Sequence, residues 1–444
     1  MAHDPDLLAL AHGLADEYLA GVNERQVGGG DAPGLRRELT DAGEDPATVL
    51  RDLAADADPG LTASVGPRYF GFVIGGSLPV AVGADWLVSA WDQMSFARAS
   101  SPAVAVVEEV AAAWALDVLG LPATASTGFV TGAQMANVTC LAAARDALLH
   151  RAGWDSAARG LFGAPEIEVV VGDEVHATVP AALRLLGLGE QRVTRVATDA
   201  NGAMDPGALA DALARSDGPA IVCAQAGNVN TGACDPLEAI ADASDARGAW
   251  LHVDGAFGLW AAAAPRRAPL VAGRERADSW AVDAHKWLNV PYDCAFAIVA
   301  DPEAHARATA LVAPYLALSA EREPNHYVPE ASRRGRAIPV YAALRTLGRE
   351  GVADLVDRCC DHAALMAQLL REGGLEILND VMLNQVLAAA SPDHVARIQA
   401  DGTCWLGATV WRGRDALRVA VSNWSTTEED IRRSAAAIIA TAGP

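Results

Sequence analysis

Lysine is almost absent from this chain. Of its 444 residues, 34 are lysine or arginine, and Lys286 is the single lysine among them. Coding bias can explain the shortage, since alanine, glycine and arginine are abundant, and Lys286 would then be an ordinary surface residue. Arginine replaces lysine in most surface roles but not in imine formation, because its guanidinium group stays protonated and is a poor nucleophile. Lys286 is therefore also a candidate for imine chemistry.

Positive charge and long apolar runs are scarce as well. The net charge of −22 argues against sequence-independent nucleic-acid binding and against docking on anionic membranes. Charged residues, proline or glycine interrupt every alanine-rich run before about 18 residues, so no membrane span is expected. Acidic residues near the N-terminus argue against a signal peptide. We expect a cytoplasmic enzyme that acts on a small molecule.

The seven cysteines are scattered and form no CxxC pair. The sequence therefore suggests neither a zinc site nor a disulfide framework, and we expect no bound metal. Hydrophobic residues are plentiful, at 51%, and charged residues make up 20%, which argues against disorder. The chain is long enough for about two or three domains with a substantial core.

The middle of the chain, from residue 126 to about 310, alternates short apolar runs with helical stretches. This alternation is typical of buried parallel strands in an α/β layered domain. The last two runs are too close together for an intervening helix, so one antiparallel strand is expected there. The predicted strands are Ile167–Val171, Val193–Val196, Ala220–Cys223, Ala249–Val253, Trp280–Val282 and Ala295–Val299.

Two further regions flank this domain. The pattern of residues 1–60 predicts amphipathic helices. This segment is too short to bury a core of its own, so it must pack on something larger, such as a second subunit. The C-terminal region predicts a long helix from Pro339 to Arg371, with a break at Gly348 or Gly351 left open, and a small α+β domain. We divide the chain into residues 1–60, 61–335 and 336–444. The C-terminal strands are predicted at Leu375–Leu378, Met382–Ala389, Ala408–Val410 and Leu417–Val421, and a final helix at Thr427–Ala440.

Lys286 and Asp254 each follow a predicted buried strand. Open α/β sheets place their ligand sites at this end of the strands. A buried aspartate is costly unless a cation meets it, and a protonated pyridine nitrogen would serve for Asp254. The small side chain of Ala256 would leave room for a flat ring.

Two other segments supply the remaining parts of such a site. A turn before a helix would present backbone N–H groups and a hydroxyl to a phosphate, and it comprises Thr131, Gly132, Ala133 and Gln134. His176 follows a strand at the start of a helix, where it could stack on a ring or transfer a proton. Each part alone is a weak signal, but together they are the parts that hold pyridoxal phosphate.

The motifs resemble those of the group II pyridoxal-phosphate-dependent decarboxylases over roughly residues 50 to 430. Residues 283–287, Asp-Ala-His-Lys-Trp, are similar to the Schiff-base motif of that family, and residues 252–256, His-Val-Asp-Gly-Ala, to its pyridine-nitrogen motif. The resemblance implies that Lys286 forms the imine and that Asp254 contacts the nitrogen of the cofactor ring. Ala256 would then lie beneath that ring, and His176 would stack on it.

The other similarities are less specific. Residues 131–134 match the phosphate loop of the family, and Asn228 to Thr231 fall at a turn near its cofactor. His285 is a candidate phosphate contact, with a fold-stabilising role as the alternative. Residues 67–72 resemble a segment that lines the substrate pocket. Arg334 is either a contact from a partner loop or a solvated arginine.

The resemblance also implies a fold and an activity. The fold is type I, with a large domain around a mostly parallel seven-stranded sheet and a small α+β C-terminal domain. Family members are homodimers with shared active sites, and their N-terminal helices wrap on the partner. The implied reaction is decarboxylation of an L-amino acid to its amine through an external aldimine and a quinonoid. Four aromatic residues hint at an aromatic or apolar substrate: Tyr69, Phe70, Phe72 and Trp91.

The chain departs from the family in the segment from Leu311 to Arg334. Aromatic decarboxylases carry a tyrosine there, on a mobile loop, that protonates the intermediate. This chain has Tyr315 and Tyr327 in the segment, and we take Tyr327 as the candidate proton donor, with a packing role as the alternative. Aminotransferase, C–C lyase and decarboxylating aldehyde synthase activities stay open, as does a non-catalytic cofactor-binding protein.

Overall fold

The computed structural model describes residues 4–215, 217–311 and 322–442. Its helices are α1 Pro5–Gly21, α2 Pro46–Ala57, α3 Pro79–Trp91, α4 Pro102–Leu119, α5 Ala133–Arg151, α6 Ser156–Arg159, α7 Thr178–Leu185, α8 Pro206–Leu213, α9 Leu237–Arg247, α10 Pro302–Thr309, α11 Ala337–Glu372, α12 Pro392–Asp401 and α13 Glu428–Ala440. Its strands are β1 Ser126–Val130, β2 Glu168–Gly172, β3 Thr194–Val196, β4 Ala220–Gln225, β5 Trp250–Asp254, β6 Ser279–Asp283, β7 Ala295–Val299, β8 Gln385–Ala389, β9 Gly407–Trp411 and β10 Arg414–Ala420.

The core of the large domain is a seven-stranded sheet in the order β1-β7-β6-β5-β4-β2-β3. Strands β2 to β6 run parallel to one another, whereas β7 runs antiparallel to both β6 and β1. Every residue of β4, β5, β6 and β7 is buried, which explains their continuous apolar runs. The predicted, mostly parallel sheet of seven strands with one antiparallel member is confirmed.

Strand β1 was not among the predicted strands. Its sequence, Ser-Thr-Gly-Phe-Val, mixes polar and apolar residues, although all five are buried in the structure. Gly128 in its middle faces another backbone at close range, because a Cβ built there would lie 1.9 Å from the carbonyl oxygen of Tyr327. A tertiary contact, rather than an apolar run, therefore determines this strand.

Helices cover both faces of the sheet. Helix α5 packs against β5, β6 and β7 on one face, together with α7 and α10. Its buried face is built from small residues such as Ala136, Cys140 and Ala143, which let it lie close to the strands. On the other face, one continuous apolar cluster joins α4 and α11 to the C-terminal sheet. The position of α5 matters most, because its N-terminus points at the carboxyl ends of the parallel strands.

The C-terminal region forms a three-stranded antiparallel sheet in the order β8-β10-β9. The predicted strand Leu375–Leu378 is wrong, since this segment makes only a single bridge from Ile377 to Ala388. The break in the long helix occurs at Gly348, which adopts φ 61° and ψ −176° inside α11. The predicted last helix is present as α13, and the side chain of Thr427 caps it by accepting a hydrogen bond from the N–H of Asp430. The predicted domain boundaries stay a prediction.

The N-terminal region contains two helices, and neither α1 nor α2 has a buried residue within the chain. Packing within the chain therefore stabilises these two helices little, because most of the stability of a helix comes from burying one face. No helix in the described parts of the chain is long and apolar enough to cross a membrane.

One buried histidine makes the stability of the fold depend on pH. His305 on α10 is fully buried, and its Nδ1 lies 2.8 Å from the Oγ of Ser126 on β1. Burial, reinforced by the charge of Arg322, lowers the pKa of His305 to about 3. An unfolded histidine titrates near 6.5. Below about pH 6.5 the unfolded chain therefore binds a proton that the folded chain does not, and stability falls as the pH falls.

We expect the substitution His305→Gln to weaken this dependence. Between about pH 7 and about pH 5, the wild type should lose about 2 kcal/mol more stability than the variant, because only the histidine can take up the proton. Urea denaturation at the two pH values measures the difference. The exposed His150 at the end of α5 provides the control His150→Gln. Equal losses in the wild type and His305→Gln would contradict the assignment.

Candidate functional site

A cavity of about 470 Å³ opens at the carboxyl ends of β4 and β5. Its wall contains four of the residues predicted from the sequence, which are Lys286, Asp254, His176 and Ala256. The carboxyl ends of neighbouring parallel strands meet at one edge of a sheet, where open α/β proteins bind their ligands. The fold thus gathers residues that lie far apart in the chain.

Lys286 is held by an aspartate to which the sequence analysis assigned no role. The Nζ of Lys286 lies 2.8 Å from Oδ2 of Asp283, the last residue of β6. The Oδ1 of the same buried carboxylate accepts a 2.6 Å hydrogen bond from the backbone N–H of Ala133 and lies 3.4 Å from Nε2 of His285. Asp283 therefore connects the lysine to the N-terminus of α5, where a negative charge is favoured.

The predicted phosphate loop lies beside this carboxylate. Thr131 and Gly132 are half-buried, and Gln134 is exposed. Gly132 caps α5 in an extended conformation, and a Cβ built on it would lie 3.5 Å from Cε1 of the His285 ring. The backbone at this helix N-terminus therefore lies beside the imidazole of His285, and the N–H groups of a helix N-terminus favour an anion. Because Asp283 already accepts from Ala133, a phosphate would use the other donors of the loop.

Asp254 ends β5 and is buried, with hydrogen bonds on both carboxylate oxygens. Its Oδ1 accepts from the backbone N–H of Ala256, and its Oδ2 accepts from Nδ2 of Asn137 on α5, each at 3.2 Å. These donors compensate for part of the cost of burying a charge. The carboxylate also lines the cavity, so a cationic or hydrogen-bond-donating group bound there can pair with it.

His176 lines the same cavity between β2 and α7. Its backbone N–H donates to Oε1 of Gln225 over 3.0 Å, which anchors the loop to β4. Its Nδ1 lies 2.8 Å from Oγ1 of Thr178 and also accepts from the Thr178 N–H. Burial lowers the pKa of His176; the charge of Asp254 opposes this shift and that of Lys286 adds to it. The imidazole is therefore neutral at neutral pH, with its proton on Nε2.

The structure does not bring Asn228 and Thr231 to the wall of this cavity. Oδ1 of Asn228 accepts from the N–H groups of Asn230 and Thr231, while Oγ1 of Thr231 donates to the carbonyl oxygen of Asn201 over 2.7 Å. Both side chains build the turn after β4. The sequence showed a polar, glycine-containing turn but not the direction in which its side chains point. The Nδ2 of Asn228 is buried without a partner among the described residues.

Tyr327 is also not brought to Lys286 within the chain. It lies in a short 3-10 turn, Pro324–Tyr327, and its ring packs 5.1 Å from the ring of His305. The structure therefore shows the packing role that was the alternative for this residue. Tyr315, the other tyrosine of the segment, lies outside the described residues.

Sequence reasoning missed Arg418, which lines the cavity from β10. Its Nη1 donates to the carbonyl oxygen of Val229 over 3.1 Å, and no carboxylate of the described residues forms a salt bridge with it. Burial lowers the pKa of its guanidinium. A buried cation without an anion favours a negatively charged ligand. The available signal was a charge inside the apolar run from Ala416 to Val421.

The outer wall of the cavity contains backbone in an unfavourable conformation. Phe72 and Val73 have φ values of 54° and 59°, a region that residues other than glycine rarely adopt. Such residues concentrate at functional sites, where the surrounding structure holds them in place. Of the four aromatics expected near the substrate, Phe72 is at the cavity, whereas Tyr69 stacks on Trp405 at 4.9 Å.

The residues present fit pyridoxal phosphate. The cavity combines an amine, a buried carboxylate at a strand end, a neutral imidazole and a small residue, Ala256, with a helix N-terminus close by. This donor set matches an anionic group joined to a flat heteroaromatic ring.

Comparison with known proteins agrees with the geometry. Residues 31–388 match the family described as the pyridoxal-dependent decarboxylase conserved domain. The chain is 30% identical to an aromatic-L-amino-acid decarboxylase of Bacillus atrophaeus, over 76% of this chain and 70% of that protein. It is 31% identical to an L-2,4-diaminobutyrate decarboxylase of Rhizobium meliloti (strain 1021), over 82% and 76%. The crystal structure of Oryza sativa TDC with PLP and tryptamine superposes with a TM-score of 0.90 at 25% identity, covering 99% of both chains. The predicted family, fold and cofactor are confirmed.

The ion pair between Lys286 and Asp283 leads to a prediction for the ligand-free protein. Asp283→Asn removes the carboxylate that pairs with Nζ of Lys286, so the amine is no longer held in this ion pair and is more accessible to an electrophile. We expect an aldehyde with cyanoborohydride to label Lys286 severalfold faster in this variant. Peptide mapping separates Lys286 from the N-terminal amine, the only other primary amine of the polypeptide.

Asp293→Asn is the matched control, since Asp293 pairs with Arg336 at 2.8 Å rather than with the lysine. Equal labelling rates in the wild type and in Asp283→Asn would show that the ion pair does not restrain the amine.

Proposed function

Because the chain belongs to the pyridoxal-dependent decarboxylases, we propose that it converts an L-amino acid with an aromatic or apolar side chain to its amine. The observation that carries the proposal is one cavity where four groups meet: the single lysine, a buried aspartate, a neutral histidine and an arginine that pairs with no carboxylate of the described residues. When bound, pyridoxal phosphate supplies a conjugated ring that accepts the electron pair of a bond broken at the α-carbon of the amino acid.

Three residues would hold and polarise the cofactor. Lys286 offers Nζ for the covalent link, and the N-terminus of α5 offers donors for the phosphate. Asp254 would keep a proton on the ring nitrogen, since its Oδ1 and Oδ2 already accept from protein donors and an ionised carboxylate prefers a cation as its next partner. His176 would lie on the ring as a neutral imidazole, with the small Ala256 on the wall leaving space for it.

Arg418 would bind the carboxylate of the substrate. Its guanidinium is buried on the cavity wall without a protein carboxylate among the described residues, and a paired N–H fork suits a carboxylate. The neighbouring Phe72, Phe257 and Val229 give the wall an apolar character, which excludes water and favours loss of a charged carboxylate as neutral carbon dioxide.

A second substrate class is favoured by one residue. Glu174 lines the same cavity and places a carboxylate on its wall. A substrate with a second amino group could pair with this carboxylate. An amino acid with a cationic side chain is therefore the alternative substrate.

We also propose that the protein is a cytoplasmic homodimer with shared active sites. Helices α1 and α2 have no buried residue, and α3 exposes a row of large apolar side chains, namely Val80, Trp86, Leu87 and Trp91. Contiguous exposed apolar residues of this size mark interaction surfaces. All seven cysteines are unpaired, which suits a reducing compartment.

The activity is tested with the protein loaded with pyridoxal phosphate and a panel of amino acids. We expect release of carbon dioxide and an amine from aromatic or apolar substrates, and borohydride should fix the pyridoxyl group to Lys286. Lys286→Ala should lose both the label and turnover. Arg418→Met should keep the label but raise KM by about tenfold to a hundredfold, the value of a charge-assisted hydrogen bond.

Other results of the panel would change the assignment. A keto acid formed with the amine form of the cofactor would indicate transamination, and an aldehyde formed with consumption of oxygen would indicate a decarboxylating aldehyde synthase. Labelling without turnover of any amino acid would contradict the proposal of an enzyme.

The dimer is tested by light scattering. The wild type should have twice the mass of the chain, and Trp91→Glu should weaken the dimer because it places a charge on the apolar face of α3. Phe162→Glu is the matched control, since Phe162 is 99% exposed and lies away from this face. A monomeric wild type would overturn the proposal.

A further inference from the structure

A chain of buried polar groups runs beneath the cavity from Trp250 to Asp254. The indole Nε1 of Trp250 donates to Oγ of Ser279, which lies 2.9 Å from Nδ1 of His252. The Nε2 of His252 lies 2.9 Å from Oδ1 of Asn137, and Nδ2 of Asn137 donates to Oδ2 of Asp254 over 3.2 Å. The proposed mechanism uses only the last member of this chain.

Strand geometry explains how these groups meet. Trp250, His252 and Asp254 alternate along β5 and so point to the same face of the sheet, the face that α5 covers. Ser279 is the register partner of His252 on β6. Asn137 comes one turn after the start of α5.

Burial makes each of these hydrogen bonds obligatory. Asn137, His252 and Ser279 have no exposed surface, and Asp254 is 5% exposed. An unpaired polar group in such a place is costly, so each atom must find its partner within the chain of groups. Burial also lowers the pKa of His252 to about 4, which keeps its ring neutral.

The two ends of the chain determine the direction of its hydrogen bonds. The indole N–H of Trp250 can only donate, and the carboxylate of Asp254 can only accept. If Asn137 were turned around, its carbonyl oxygen would face the carboxylate with no hydrogen between them. The amide N–H groups therefore point at Asp254, and Oδ1 accepts from a proton on Nε2 of His252. Ser279 then donates to Nδ1 of His252.

A branch leads from Asn137 to the histidine of the cavity. Nδ2 of Asn137 also lies 3.2 Å from Oγ1 of Thr178, which is 2.8 Å from Nδ1 of His176. Because the amide donates to this hydroxyl, the hydroxyl is free to donate onward to Nδ1. The proton of His176 is then on Nε2.

We propose that Asn137 is a positioning residue that orients Asp254 and, through the hydroxyl of Thr178, adds a second hydrogen bond to Nδ1 of His176 beside the one from the Thr178 N–H. Only an amide offers one acceptor and two donors at a single site, and the structure uses all three. This inference deepens the proposed function, since it concerns the groups that would hold the cofactor. The direction of the hydrogen bonds does not depend on which amino acid is the substrate.

The test compares Asn137→Asp with a matched control on the same helix. Thr139→Val removes an equally buried hydroxyl that bonds only to the carbonyl oxygen of Met135. Long-range proton–nitrogen NMR spectra of the histidine-labelled, cofactor-free protein report the tautomers. We expect His252 and His176 to carry their protons on Nε2 in the wild type and in Thr139→Val. In Asn137→Asp, the hydroxyl of Thr178 should turn to the introduced carboxylate, so Nδ1 of His176 loses one of its two donors. Its nitrogen chemical shift should move, while the Thr178 N–H keeps the proton on Nε2.

Kinetics of the loaded enzyme provide the second measurement. Asn137→Asp should lower kcat at neutral pH by about tenfold or more while KM changes by less than about threefold, because the substrate itself is not contacted. Thr139→Val should keep kcat within about threefold of the wild type. If Asn137→Asp does not fold, Thr178→Val tests the branch alone and should move the Nδ1 chemical shift of His176 in the same direction.

The outcomes separate this inference from the proposed function. A wild-type His252 protonated on Nδ1, or an Nδ1 chemical shift of His176 unchanged in both variants, would overturn the role of Asn137 even if the enzyme decarboxylates. The expected tautomers in a protein that decarboxylates nothing would support Asn137 as the positioning residue and count against the proposed function.

Discussion

The burial of a carboxylate at the end of β5 is the constraint on which the site depends. Asp254 is nearly inaccessible to water and needs donors from elsewhere in the fold. One donor is the N–H of Ala256 in the loop that follows Asp254. The other is the amide of Asn137 on α5, a helix far away in the sequence. The carboxylate also lines the cavity, where it would hold the protonated ring nitrogen of a bound cofactor.

A second carboxylate is buried at the end of the neighbouring strand and also needs donors. Asp283 ends β6 and is met by the N–H of Ala133 and by the amine of Lys286. The first turns of α5 thus donate hydrogen bonds to the carboxylates at the ends of both β5 and β6. Through Asp283, the predicted phosphate loop and Lys286 belong to one hydrogen-bonded unit. Strand order explains this arrangement, because β6 lies beside β5, and only β7 separates β6 from β1, the strand that leads into α5.

The general architecture could be predicted because it depends on local patterns. Apolar runs separated by helices indicate a parallel sheet, and a pair of runs without an intervening helix indicates the antiparallel strand β7. The structure differs from the expectations where a tertiary contact overrides the local pattern. Strand β1 pairs in spite of its polar residues, Thr231 turns to Asn201, and Tyr327 packs on His305 instead of reaching the lysine. Arg418 escaped notice because nothing in a short strand tells which cavity its alternate residues will face.

By itself, the sequence determined which residue could carry imine chemistry, since a chain with one lysine leaves one candidate and the motif around Lys286 places it after a strand. The sequence also indicated a buried aspartate at the end of a strand, Asp254, and a helix that begins after the turn at residues 131–134. Only the tertiary structure decided that Arg418 joins them, that Tyr327 does not, and that Asn137 links Asp254 to His176. The physical reason is that hydrogen bonds and ion pairs act over a few ångströms in space, and residues distant in the chain come that close only when the layers of the fold are packed.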